Sequence, residues 1–184
     1  MRSILLVLAI AVLATTPALA QPATDPFLIT PGVGIGPIAL GMSITDVTKV
    51  LGTPHPAETK FRSIVLQVPD GSLGFAWDPS PEAKRQGAGT FDGFVVITDK
   101  AGAVYEVQSP FDNRYHTAQG LHVGSRPSDV MAALGTPSRQ PASGHEQFYV
   151  YDQRGIALLI QTNRQAPNVG LVNGVWVFAP RATP

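Results

Sequence analysis

The chain has no cysteine among its 184 residues. That absence excludes disulfides, thiolate nucleophiles, cysteine metal ligands and attachment to a membrane through an acylated cysteine. Charge imbalance is missing as well: 13 basic residues face 13 acidic ones, and charged residues make up only 14% of the chain. With no basic cluster, nucleic acid is not an expected partner. Beyond the first twenty residues no apolar run is long enough to cross a bilayer.

Those first twenty residues read as a cleavable leader. Met1-Arg2 is a charged start, Ile4 to Ala14 an apolar stretch too short to span, and Ala18-Leu19-Ala20 an A-x-A site. The expected cut follows Ala20, placing the mature protein in the periplasm or outside the cell. Residues 21–35 are expected to be a flexible, Pro-containing lead-in. Eighteen Gly and 17 Pro favour a turn-rich β protein over a helical bundle.

What is present is a repetition. Gly41-Met42-Ser43-Ile44-Thr45-Asp46-Val47-Thr48-Lys49-Val50-Leu51-Gly52-Thr53-Pro54 returns 83 residues later as Gly124-Ser125-Arg126-Pro127-Ser128-Asp129-Val130-Met131-Ala132-Ala133-Leu134-Gly135-Thr136-Pro137, with seven of fourteen positions identical. Each copy predicts a short helix. Ser43 is a natural N-cap with Asp46 favouring the positive helix start, and Pro127 fits the first helical position. Ile44, Val47, Val50 and Leu51, and Val130, Ala133 and Leu134, form one apolar face each. Gly52 and Gly135 supply the left-handed exit, and Pro54 and Pro137 prevent continuation. Isolated helices shorter than about 12 residues are marginal, so each must lie on a sheet.

Strand patterns follow both helices. Spacing matches Leu73–Trp77 with Ile156–Ile160, and Phe91–Ile97 with Val172–Phe178; Ala103–Val107 is extra in the first copy. The expected class is α+β: two tandem helix–β-meander repeats forming antiparallel sheet or sheets with short helices on one face. The first repeat spans 36–110 with about four strands, a connector spans 111–119, and the second repeat spans 120–180 with about three strands. The two repeats share one core or join sheets edge to edge.

The Gly-x-Ser-x-x-Asp-Val-x-x-x-Leu-Gly-x-Pro helix followed by a meander, given twice, resembles the β-lactamase-inhibitory-protein-like fold. A single copy resembles the small outer-membrane assembly lipoproteins of the SmpA/OmlA group. The resemblance spans roughly Gly36 to Phe178 and implies an exported, non-catalytic protein that binds other proteins with loops and one sheet face. Those lipoproteins carry an acylated cysteine and those inhibitors carry disulfides; a chain without cysteine has neither.

Catalytic and cofactor motifs are few. Gly34-Ile35-Gly36-Pro37-Ile38-Ala39 fits G-x-G-x-x-A formally, but Pro37 occupies the helix entry that a dinucleotide site needs. His145-Glu146 starts an H-E-x-x-H motif that Tyr149 ends, and His55, His116 and His122 lie at loops or boundaries. No serine has the G-x-S-x-G flank of a hydrolase elbow. No catalytic residue, metal ligand or cofactor is assigned. Aromatic residues are the stronger hint: Tyr149 and Tyr151 alternate along one strand, Trp176 and Phe178 along another. These four are the candidate partner-binding residues, with core packing as the opposing reading. The expected function is non-covalent engagement of a protein partner in the bacterial envelope. An inhibitor of an exported hydrolase, and a small metal-dependent or hydrolytic enzyme, are the alternatives.

Overall fold

A computed structural model describes residues 25–182 except 56–62, 64, 67–69, 90–91 and 167. The expected leader therefore lies outside the described residues. The architecture is mixed α+β, with few short helices and antiparallel sheets that include a curled half-barrel.

Both predicted helices form where local chemistry starts and stops them. In α1 (Ile44–Leu51) the Ser43 hydroxyl accepts from the Asp46 amide at 3.1 Å. In α3 (Pro127–Leu134) the Arg126 N–H donates to the Asp129 carboxylate at 3.3 Å. Both end on a glycine at positive φ, 84° at Gly52 and 81° at Gly135, whose N–H returns 2.9 Å to the carbonyls of Thr48 and Met131. Val47 and Val130, at matching positions, are fully buried.

The helices lie on one face of a seven-stranded antiparallel sheet. Its order runs β4 (Leu73–Ala76), β5 (Val95–Thr98), β6 (Val104–Gln108), β11 (Val172–Phe178), β10 (Ile156–Gln161), β9 (Glu146–Tyr151) and β8 (Ala142–Ser143). The helix-bearing face gathers Val47, Val130 and Leu134 with Val96, Val107, Ile156, Leu158, Val175 and Val177. The opposite face carries a second cluster of Phe148, Val150, Ala157, Leu159 and Phe178, onto which Val65 and Leu66 pack. Strand alternation explains the division: successive residues of β9 and β10 belong to the two clusters in turn. The core therefore has two layers, one on each side of the sheet.

Several contacts recur with their helix-side ends 83 residues apart. The Gly41 N–H donates to the Val104 carbonyl and the Val104 N–H to Met42, both at 2.8 Å; Gly124, Val172 and Ser125 repeat this at 2.8 and 2.9 Å. The His55 N–H reaches the Ala76 carbonyl, and the Ser138 N–H that of Val150, both at 2.8 Å. The Trp77 indole donates to the Gly52 carbonyl and the Tyr151 hydroxyl to that of Gly135, both at 2.9 Å. These bonds align β4 with β9 and β6 with β11, whereas spacing alone pairs Leu73–Trp77 with β10. The mismatch arises because the interval falls from 83 to 74 between His55/Ser138 and Ala76/Val150, so the first helix-to-strand passage is nine residues longer. The middle of the sheet is the antiparallel β6–β11 pair, with Val177 opposite Val107.

Three segments differ from expectation. Described residues of the 21–35 lead-in form β1 (Leu28–Thr30) and β2 (Gly34–Ile35), burying Ile29 and Ile35. The 111–119 connector contains β7 (His116–Thr117), which pairs with β1 in parallel, so not all sheet pairing is antiparallel. With β3 (Ile38–Ala39) these make a four-stranded sheet, β3-β2-β1-β7. A further short helix, α2 (Pro81–Arg85), starts at Ser80, whose hydroxyl accepts from the Ala83 amide at 3.1 Å. Dense Gly and Pro around two- and three-residue strands leave no period of two to read, and burial of single apolar residues decides their placement instead.

Candidate functional site

The four aromatic candidates divide between the two sheet faces. Tyr149 and Tyr151 share the helix-bearing face, where Tyr151 is 4% exposed and Tyr149 is half-buried. Trp176 and Phe178 share the opposite face; Phe178 is buried, and Trp176 is half-buried against Phe148, with ring centroids 4.6 Å apart. The sheet thus brings together each pair but not all four. Tyr149 and Trp176 keep accessible ring surface, and Tyr105 lies half-buried on Trp176's side.

Sequence reasoning missed three buried carboxylates. Asp152 is 1% exposed and sits at the turn from β9 to β10. Its Oδ2 accepts from the Ser138 hydroxyl at 2.8 Å and Arg139 Nε at 2.9 Å; its Oδ1 accepts from Arg181 Nε at 3.0 Å and Arg139 Nη2 at 3.2 Å. Burial pushes the Asp152 carboxyl upward, but the bonds from Arg139, Ser138 and Arg181 outweigh it and hold the carboxyl below its ordinary value. Both arginines also donate to the Val65 carbonyl, fastening that segment over the second face.

Glu106, fully buried on β6, accepts from the Ser63 hydroxyl at 2.7 Å and the Gln108 amide at 2.9 Å. Burial raises its carboxyl above the ordinary value, and these two bonds and the nearby Arg181 charge only partly oppose that. Asp112, also buried, takes Arg114 Nε at 3.0 Å and Nη2 at 2.6 Å, while Arg114 stacks 4.7 Å from the Phe27 ring centroid. Burial works against the charge of Asp112, and the Arg114 bonds prevail and hold its carboxyl below the ordinary value. An apolar strand that ends in Asp beside a Gly turn, as at Tyr151-Asp152, is the one local signal of such a site.

A cleft of about 350 Å³ opens beside Asp152, between the end of α3 and the β9–β10 turn. Leu134, Thr136, Ser138, Tyr151, Asp152, Gln153 and Arg154 line it. Leu134 and Tyr151 are buried and form its apolar wall; Thr136, Gln153 and Arg154 are exposed at its rim.

His116 and His122 pair across an isolated antiparallel bridge, but their rings contact different groups. His55 Nε2 is 3.1 Å from Asp78 Oδ1, His116 Nε2 is 3.3 Å from Asp25 Oδ2, and His122 Nδ1 is 2.6 Å from the Val123 carbonyl. His145 is exposed. Among the described residues no three His, Asp or Glu side chains gather as metal ligands would. Nor is any described helix long and apolar enough to cross a membrane.

No family model matches the chain. No curated protein matches it either. Among solved structures, the crystal structure of the uncharacterized protein yfeY from Escherichia coli is similar, with a TM-score of 0.52 and 12% sequence identity over 82% of this chain and 98% of that one. At that identity the likeness concerns the fold alone.

Proposed function

We propose that this is an exported, non-catalytic binding protein of the bacterial envelope, built from two copies of one helix–meander unit of the inhibitory-protein-like kind. Support for the duplication comes from the matched backbone bonds at residues 41–55 and 124–138. The observation that carries the binding reading is the half-buried aromatic surface of Trp176 and Tyr105 on the sheet face away from the helices. Such rings give large contact area at small entropic cost. The leader pattern of residues 1–20 supports export to the periplasm or beyond.

Capture experiments test this. The tagged protein, incubated with periplasmic extract, should enrich one discrete protein, and Trp176→Ala should reduce its recovery at least 10-fold while the circular dichroism spectrum is kept. Undiminished capture by that variant removes the aromatic surface from the interface. Absence of any enriched protein, with turnover of a small substrate, overturns the reading as a whole. A tight 1:1 complex with a soluble hydrolase would identify the inhibitor form of the proposal.

A further inference from the structure

We infer that the cleft between the end of α3 and the β9–β10 turn binds the C-terminal carboxylate of a peptide. This rests on the protein-binding reading above and names one chemical group of the partner.

Three observations lead there. Size comes first: at about 350 Å³ the cleft falls at the lower end of ligand sites, room for one or two residues and not for a folded domain. Charge comes second. Asp152 beneath the cleft is already met by Arg139 and Arg181, so its oxygens have no demand left for a further cation. Arg154 at the rim adds a third guanidinium; facing the three stand Asp152 and, near Arg181, the buried Glu106, so the locality stays positive. Unspent donors come third. Arg154, Gln153 and Thr136 have no side-chain hydrogen bond or ion pair among the described residues, and all three face the same opening.

Several N–H and O–H donors with excess positive charge suit a planar anion, and guanidinium takes a carboxylate through two parallel bonds. Leu134 and the Tyr151 ring supply an apolar wall for one side chain, which a bare inorganic ion would leave unused. The wall is held in place because the Tyr151 hydroxyl donates to the Gly135 carbonyl at the end of α3. A terminal carboxylate with an apolar last side chain satisfies rim and wall together.

Isothermal titration of the purified protein with acetyl-Ala-Ala-Leu, as free acid and as amide, tests the assignment. The acid should bind at least 10-fold more tightly than the amide. Arg154→Gln should remove most of that difference, and Arg154→Lys should restore part of it. N-acetyl-leucine separates the sources: binding as tight as the tripeptide acid would assign the cleft to free small acids and overturn the peptide inference. Equal binding of acid and amide, no binding of either, or an unchanged Arg154→Gln variant would also overturn it. Arg154 is exposed, so its variants should retain the parent's dichroism and melting temperature. If the peptide acid does not bind while the parent protein still captures its partner, the cleft assignment fails alone; if capture fails too, the binding reading fails with it.

Discussion

Replacing Asp152 by alanine tests whether the arginine clamp holds the two layers together. The substitution removes four acceptor contacts, at 2.8, 2.9, 3.0 and 3.2 Å, from Ser138, Arg139 and Arg181. Breaking a fully buried ion pair costs about 3–5 kcal/mol. Here the carboxylate is 1% exposed but the arginine side chains are 29% and 36% exposed, so their charges regain water when the partner goes. The expected loss is therefore about 2–4 kcal/mol, a fall of roughly 4–16 °C in Tm for a domain of this size. Urea unfolding followed by tryptophan fluorescence and by circular dichroism measures it. The carboxyl is held below its unfolded value, so its stabilisation is present above the unfolded value and is lost as pH falls through the folded one. Asp152→Asn should lack that acid-dependent loss. A change below about 0.5 kcal/mol in the alanine variant, or an unaltered acid profile in the asparagine variant, would refute the clamp.

Glu106→Gln should act with the opposite sign. Burial holds that carboxyl above its unfolded value, so the parent loses stability as pH rises between the unfolded and folded values, and the glutamine variant should lose that slope and be the more stable at pH 7; urea midpoints across pH check it. Gly155→Ala should destabilise by at least about 2 kcal/mol, because Gly155 has φ 67° and an added Cβ would meet the Phe178 carbonyl at 2.1 Å and Gly32 Cα at 2.8 Å; thermal melts measure it. Val47→Ala and Val130→Ala should each cost about 1–3 kcal/mol, since both side chains are fully buried under their helices; a cost confined to one of them would contradict equivalent packing.

The helices were legible because their determinants are local. Ser43, Asp46, Gly52, Pro127 and Gly135 each act within one turn of chain, and the valines they frame had to be buried for helices so short. Strand β10 was legible from the apolar run Ile156–Ile160, and β11 from Val172 and Val175–Phe178 on either side of Asn173-Gly174. Their partners were not, because nine additional residues in the first half shift the spacing, and register is set by tertiary contact. The carboxylate sites were opaque for the same reason: Asp152 meets arginines 13 residues earlier and 29 later, and Glu106 meets a serine 43 residues away. Alternation correctly paired Tyr149 with Tyr151 and Trp176 with Phe178, but which side each pair faces depends on where the helices settle.

The pairing of β6 with β11 has a kinetic consequence. β11 is the last described strand to leave the ribosome, and it alone joins β6 to β10. Until it arrives, both neighbours present raw hydrogen-bonding margins, and a contact spanning some 70 residues closes slowly. Newly made chains therefore have an interval in which two molecules can trade final strands, and dimers formed in that way should increase with the concentration at which the protein is refolded.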